Sequence, residues 1–224
     1  MTNQTNQPLP PETPSDKPKD KDSKVLLSKE TALLLLLAFV LGLGSGFLLW
    51  GRQTQNVETQ SANQPELGPP DAPITIIEFS DFTCGYCRKF HLETFNQLLD
   101  TYPDQIRFVY RNYPVVGGAE AALASLCAGE QGKYWEYHDL LFTRDLTLGR
   151  SAYLQFAEEL GLDTEALDEC IDSQRFAHRL EADYYYGRSM GISGTPSFLI
   201  NGIPVVGAQP LETFIQIIDA ELNK

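Results

Sequence analysis

The sequence predicts an α/β domain with the element order β-α-β, an all-helical block, then β-β-α, preceded by one apolar segment of membrane-spanning length. Three observations carry this. Two short runs of β-branched and aromatic residues, 74–79 and 105–110, bracket a stretch with helical spacing. From about 117 to 190, Ala-rich and Leu-rich segments follow one another, broken at Gly132, Gly149 and Gly161. Then Asn201-Gly202, the strongest short hairpin signal, separates two more apolar runs.

Residues 1–24 are polar and rich in Pro, Asn, Thr, Lys and Asp, so 1–31 is expected to be a disordered tail. The run from Ala32 to Trp50 carries no charge, and its 19 residues approach the ~30 Å of a hydrocarbon core. A buried core helix rarely lacks a polar stripe. A cleaved signal peptide is the stronger rival. Against it stand the long polar lead, the length of the run, and its end in Phe47-Leu48-Leu49-Trp50 in place of a small-x-small site. Residues 32–50 are therefore read as an uncleaved transmembrane anchor. Lys17, Lys19, Lys21, Lys24 and Lys29 precede it and only Arg52 follows closely, which places the N-terminus in the cytoplasm and the rest outside. Residues 51–70 read as a flexible tether.

The exported part, 71–224, holds 11 Lys+Arg and 23 Asp+Glu, a balance of 11 − 23 = −12. Nucleic acid, whose phosphates need a basic surface, is excluded as a partner. All four cysteines lie in this part, and an even number beyond a membrane points to disulfide chemistry.

Residues 74–79 read as a buried strand and Ser80 to Thr83 as a turn. Arg88 to Leu99 then places Phe90, Leu92, Phe95, Leu98 and Leu99 at near-helical spacing, and 105–110 forms a second strand. A strand–helix–strand unit favours a parallel pair. Helices follow at 119–130, 134–142, 151–160, 164–172 and 176–190. Strands at 197–200 and 203–206 flank the hairpin turn, and an amphipathic helix at 211–222 ends the chain.

Cys84-Gly85-Tyr86-Cys87 opens the first helix directly after a strand. At a helix N-terminus the first sulfur meets unpaired N–H groups and the positive end of the dipole, which favour thiolate. Arg88 and Lys89 add positive potential. A thiolate is the nucleophile of disulfide exchange, and a low-pKa thiol is the better leaving group. Cys87, deeper in the helix, would resolve the mixed disulfide. Cys-x-x-Cys also serves as half a zinc site, but Cys127 and Cys170 form no second close pair. No His-x₃₋₅-His exists among His91, His138 and His178, so no metal is assigned. A purely structural disulfide at this spacing is the other alternative. Pro196, between Gly194-Thr195 and an apolar run, suits a cis bond or simply stops the preceding helix.

With these residues in view, 71–224 resembles the DsbA-like thiol:disulfide oxidoreductases, particularly the anchored branch that includes BdbD-like proteins. The resemblance rests on Glu78-Phe-Ser-Asp-Phe-Thr-Cys-Gly-Tyr-Cys87, on the stretch Cys127-Ala-Gly-Glu-Gln-Gly-Lys-Tyr-Trp-Glu-Tyr-His138, on Gly191-Ile-Ser-Gly-Thr-Pro196 and on Val205-Val-Gly-Ala-Gln-Pro210. It implies a thioredoxin-like fold with an inserted helical domain at about 117–190. It implies Cys84 and Cys87 as the redox pair, with a cis Pro196 beside them and Thr195 offering backbone hydrogen bonds to a bound substrate chain. Gly85 and Tyr86 are implied to face that substrate too. Glu78 occupies the place of the family's acidic residue, six before the first active cysteine, and would relay a proton to Cys87. A strand glutamate facing solvent is the plainer alternative. Some relatives join two helices of the insertion by a second disulfide, so a Cys127–Cys170 bond is expected, with two buried thiols as the rival.

No cofactor is implied. Partners are exported proteins with free thiols and a membrane quinone-linked reoxidase of the DsbB or VKOR type. The expected protein is a single-pass membrane enzyme with a periplasmic or extracellular catalytic domain, introducing disulfides. Gly85-Tyr86 departs from the Pro-His of the best-known oxidase, and with Thr195 also resembles DsbC-type isomerases. An isomerase or reductase on the same scaffold therefore stays open, as does a redox-inactive peptide-binding module.

Overall fold

In the computed structural model, residues 64–144 and 147–224 are described. The disordered tail expected over 1–31, the anchor expected over 32–50 and most of the tether lie outside them. Among the described residues, no helix is long and apolar enough to cross a membrane.

The sheet comprises β1 (Glu66–Leu67), β2 (Ile74–Ser80), β3 (Ile106–Asn112), β4 (Ser197–Ile200) and β5 (Ile203–Val206), in the order β1-β3-β2-β4-β5. β2 and β3 are parallel, with Glu78 beside Tyr110, and the remaining pairs are antiparallel. Parallel neighbours need a crossover. It is supplied by α1 (Gly85–Phe90), a π-helical turn (His91–Phe95) and α2 (Asn96–Thr101), in direct succession. The insertion consists of α3 (Ala119–Glu130), α4 (Tyr134–Thr143), α5 (Arg150–Glu159), α6 (Thr164–Asp172) and α7 (Ala177–Ser189); α8 (Leu211–Leu222) closes the chain. This is the interrupted α/β fold that the resemblance implies.

Strand alternation divides the core between the two faces of the sheet. Ile74, Ile76, Ile106, Phe108, Tyr110, Phe198 and Ile200 join the main core with the helices. There Phe90, Phe198 and Phe214 of α1, β4 and α8 pack ring on ring at 4.5–5.4 Å. Phe79 and Leu199 point the other way and meet Tyr113 and Ile192. α7 comes close enough there that a Cβ on Gly187 would lie 2.8 Å from the Tyr113 ring. α7 also brings Asp183 to Arg111 of β3 at 2.8 Å, with both side chains buried. Asp183 further accepts from the Asn112 N–H and the Gln64 side-chain amide, so this buried carboxylate is well satisfied.

Predicted elements and observed ones agree within a residue or two, and Asn201 and Gly202 both take the positive φ that a tight hairpin turn requires. Two differences have physical causes. The tether read over 51–70 does not run that far, because Glu66–Leu67 forms β1 on the edge of β3. A bidentate Arg107–Glu66 pair at 2.6 and 2.8 Å and the Trp135 indole on the Glu66 carbonyl hold it there. The first helix begins at Gly85 with Cys84 as its N-cap, where the cysteine motif is expected to open it. Its middle widens into the π turn, which leaves apolar spacing almost unchanged and so has little sequence signature.

Candidate active site

β2 delivers the chain to the site. Ser80 ends the strand, and Cys84 stands at the N-cap of α1 with extended dihedrals, φ −80° and ψ 120°. Its N–H donates to Asp81 O at 3.0 Å, and its carbonyl accepts the first helical bond, from Arg88 N at 3.0 Å. The antiparallel register sets Phe79 opposite Ser197. That pairing carries the residues just before β4, including the cis Thr195–Pro196 bond, to the end of β2. The Cys84 thiol donates to the Thr195 carbonyl at 3.4 Å.

The two thiols, both unbonded, differ in environment. Cys84 keeps 7% of its surface exposed and Cys87 none. Burial pushes the Cys84 pKa up. Hydrogen bonding to its sulfur from Thr195, from the Cys87 N–H and thiol and from the Tyr86 N–H outweighs that, so the net shift is down. For Cys87 burial dominates, the nearby Glu78 charge adds to it, and the thiol is pushed far above its ordinary value. The Asp81 N–H, at 3.5 Å from the Cys87 sulfur, offsets this only in part. Cys84 is thus the ready nucleophile and Cys87 the reserve thiol that needs a base.

Glu78 lies beneath them, 3% exposed, so it does not face solvent. Burial raises its carboxyl to about 8, and the Ser80 hydroxyl pulls the other way. Ser80 lowers Cys87 and Tyr110 in the same sense, against the larger upward push of burial. A carboxyl with a raised folded-state pKa stabilises the fold fully below its unfolded value, near 4.5, and that contribution fades as pH rises through 8. Glu78→Gln is therefore expected to flatten the fall in unfolding free energy between pH 4.5 and 8. Well above pH 8 the variant should exceed the parent by up to about 5 kcal/mol in urea titrations. Parallel pH profiles for the two proteins would refute the assignment.

Gly85 lies in open space, and Tyr86 is 68% exposed, at the outer rim. Arg88 is turned away from the cysteines, donating to the carbonyls of Arg144 and Thr143 at 3.0 and 3.5 Å, and Lys89 faces Glu93 at 3.9 Å. Cys127 of α3 and Cys170 of α6 are joined, with Cα atoms 5.9 Å apart, inside the insertion.

Two groups of residues escaped the sequence reading. Asp81 accepts from Thr83 N–H and Oγ1 (2.9 and 2.7 Å) and from the N–H groups of Val116 and Gly117 (2.7 and 3.2 Å). It thereby clamps the turn before Cys84 to the loop after β3. A Cβ on Gly118 would sit 2.2 Å from Asp81 Oδ1, so that loop admits only glycine there. An Asp two residues before a Thr is a common turn signal, but its partners lie 35 and 36 residues away. The second group is His91 and His138, given no role from sequence. Both are buried, and their rings meet at 5.0 Å with Asp139 beside them.

The sequence matches the family described as Thioredoxin over residues 60–220. A thioredoxin-like oxidoreductase from Silicibacter pomeroyi DSS-3 is 32% identical and superposes with a TM-score of 0.67, covering 73% of this chain and 94% of that one. Oxidised BdbD from Bacillus subtilis is 26% identical with a TM-score of 0.65, covering 72% and 94%. A Na⁺/H⁺ antiporter NhaA from Herminiimonas arsenicoxydans is 30% identical over 208 residues, 87% of this chain; the chain spans only 33% of that protein's length.

Proposed function

We propose that this chain, which belongs to the thioredoxin family, works as a dithiol oxidase that introduces disulfides into exported proteins, with Cys84 and Cys87 as its redox centre. The asymmetry of the two thiols carries this reading. A disulfide is a strong oxidant when its reduced form is stabilised, and hydrogen bonding to Cys84 favours the thiolate of that form. In the proposed cycle a substrate thiolate attacks the oxidised pair at Cys84, the sulfur at the rim. A mixed disulfide forms and Cys87 leaves as the reduced sulfur. Glu78, protonated near neutral pH, gives Cys87 its proton. A second substrate thiolate then releases Cys84, so two substrate thiols become one disulfide and the enzyme pair becomes a dithiol. Thr195 and Pro196 at the base of β4, with Gly85 and Tyr86 at the rim, take the substrate backbone.

The proposal includes the anchor at 32–50 with its N-terminus in the cytoplasm, the tether that follows, and a catalytic domain at 71–224 on the periplasmic or extracellular side. Their support is the uncharged apolar run and its one-sided lysines. Reoxidation falls to a quinone-linked membrane partner of the DsbB or VKOR type. Ion exchange is not proposed, since the similarity covers a third of the antiporter.

The reduction potential of the pair, equilibrated against glutathione, tests the direction of electron flow. A value nearer about −120 mV than about −270 mV is expected. A value at the reducing end would make the protein a reductase.

A further inference from the structure

The π turn places His91 on the inward side of the redox helix, where it meets α4. Its ring lies between Phe95 and Phe142 at 5.1 and 4.9 Å. Against it stands His138, with ring centroids 5.0 Å apart and near-perpendicular planes. Asp139, the next residue of α4, reaches both: its Oδ1 lies 3.6 Å from His91 Nε2 and 3.1 Å from His138 Nδ1. All three donor atoms fall within 4.8 Å of one another. Neighbouring donors around a tetrahedral ion with bonds of about 2.1 Å stand roughly 3.4 Å apart, so the spacing needs little adjustment.

Packing alone does not account for this arrangement. Burying two imidazoles is costly unless their nitrogens are satisfied. The Asp139 contact to His138 Nδ1 is the one hydrogen bond the pair makes among the described residues. His138 Nε2 is buried without a polar partner, in a ring surrounded edge-on by Phe82, Tyr110 and Trp135. Nδ1, which faces Asp139, is the His138 nitrogen turned towards the cluster, and it can take a ligand when its proton sits on Nε2. Burial lowers both histidines, His91 to about 4 with His138 adding to the effect, against the opposing pull of Asp139 on each ring. Asp139, 55% exposed, supplies the negative charge and the way in. The nearest cation, Arg88, is held by the carbonyls at the end of α4.

We propose that His91 Nε2, His138 Nδ1 and Asp139 Oδ1 bind a first-row transition-metal dication, with zinc the reference ion and a fourth position left to water. Two imidazoles and a carboxylate are borderline donors that suit zinc, cobalt or copper far better than calcium or magnesium. The bound ion would tie the redox helix to the insertion. The site uses neither cysteine, so it stands apart from the redox reading.

The test uses the full chain carrying Cys84→Ser and Cys87→Ser, since free thiols bind zinc themselves. Titration with cobalt(II) alone should give one equivalent of a visible tetrahedral or five-coordinate spectrum, displaced by zinc. Asp139→Ala, at a half-exposed position, leaves the fold intact and should weaken zinc binding in calorimetry at least about 100-fold. His91→Gln should abolish it, and His178→Ala should change nothing. Absence of a cobalt spectrum would overturn the site, as would zinc affinity unchanged by Asp139→Ala.

Discussion

A Cys84→Ser chain is expected to lose oxidation of model dithiol peptides down to the uncatalysed rate, a fall on the order of 10³-fold or more. Three parts of the site make the effect this large. Cys84 is the sulfur with residual exposure, the sulfur whose pKa is lowered, and the one facing the Thr195 carbonyl. Serine keeps the hydrogen-bonding geometry but cannot form the mixed disulfide. Cys87→Ser should behave differently. Given a disulfide-bonded peptide, its Cys84 thiolate can still attack one sulfur and expel the other as a peptide thiol, and with no Cys87 to resolve the product the mixed disulfide should accumulate on non-reducing gels. Both variants should lose dithiol oxidation, and it is the trapped species that separates them: mixed disulfide in Cys84→Ser, or none in Cys87→Ser, would undo the division of labour between the two thiols, and with it the proposed mechanism.

The second large effect concerns stability. A Cys127→Ala/Cys170→Ala chain is expected to lose about 4 kcal/mol of unfolding free energy, the loop-closure entropy for a sequence separation of 43. Both residues are buried among α3 and α6, so alanine adds a small packing loss of its own. Urea denaturation should show a lower midpoint together with a steeper slope, because the unfolded chain is no longer constrained. The redox pair lies outside the closed loop, so the potential of Cys84–Cys87 should not move. A loss below about 1 kcal/mol would mean that the denatured chain stays compact without the bond.

What was legible in the sequence was local. Cys84 and Cys87 announce themselves through a strand before and a helix after, and the Asn201-Gly202 turn through its dipeptide. The helices of the insertion show in their periodicity and glycine breaks. Glu78 and Thr195-Pro196 needed the family resemblance, since nothing in a seven-residue strand says that its glutamate is buried. What stayed hidden depends on partners far along the chain. β1 has two residues and no apolar run, and its place comes from Arg107 and Trp135. Asp81 is an ordinary turn residue until the loop after β3 folds against it. His91 and His138 lie 47 positions apart and meet only because a π turn and α4 face one another.

The contact between Asp81 and Gly118 sets a condition on how this site can change over evolutionary time. Any side chain at 118 would occupy the space of the carboxylate that secures Val116, Gly117 and Thr83. Removing that carboxylate first leaves the N–H groups of both segments without their acceptor. Each single step is therefore unfavourable, and the two positions are free to diverge only together. Sequence drift along this lineage should accordingly be slow at both sites, and variation in the outer rim should instead collect at Tyr86, Val115 and Val116, whose exposed side chains meet no such constraint.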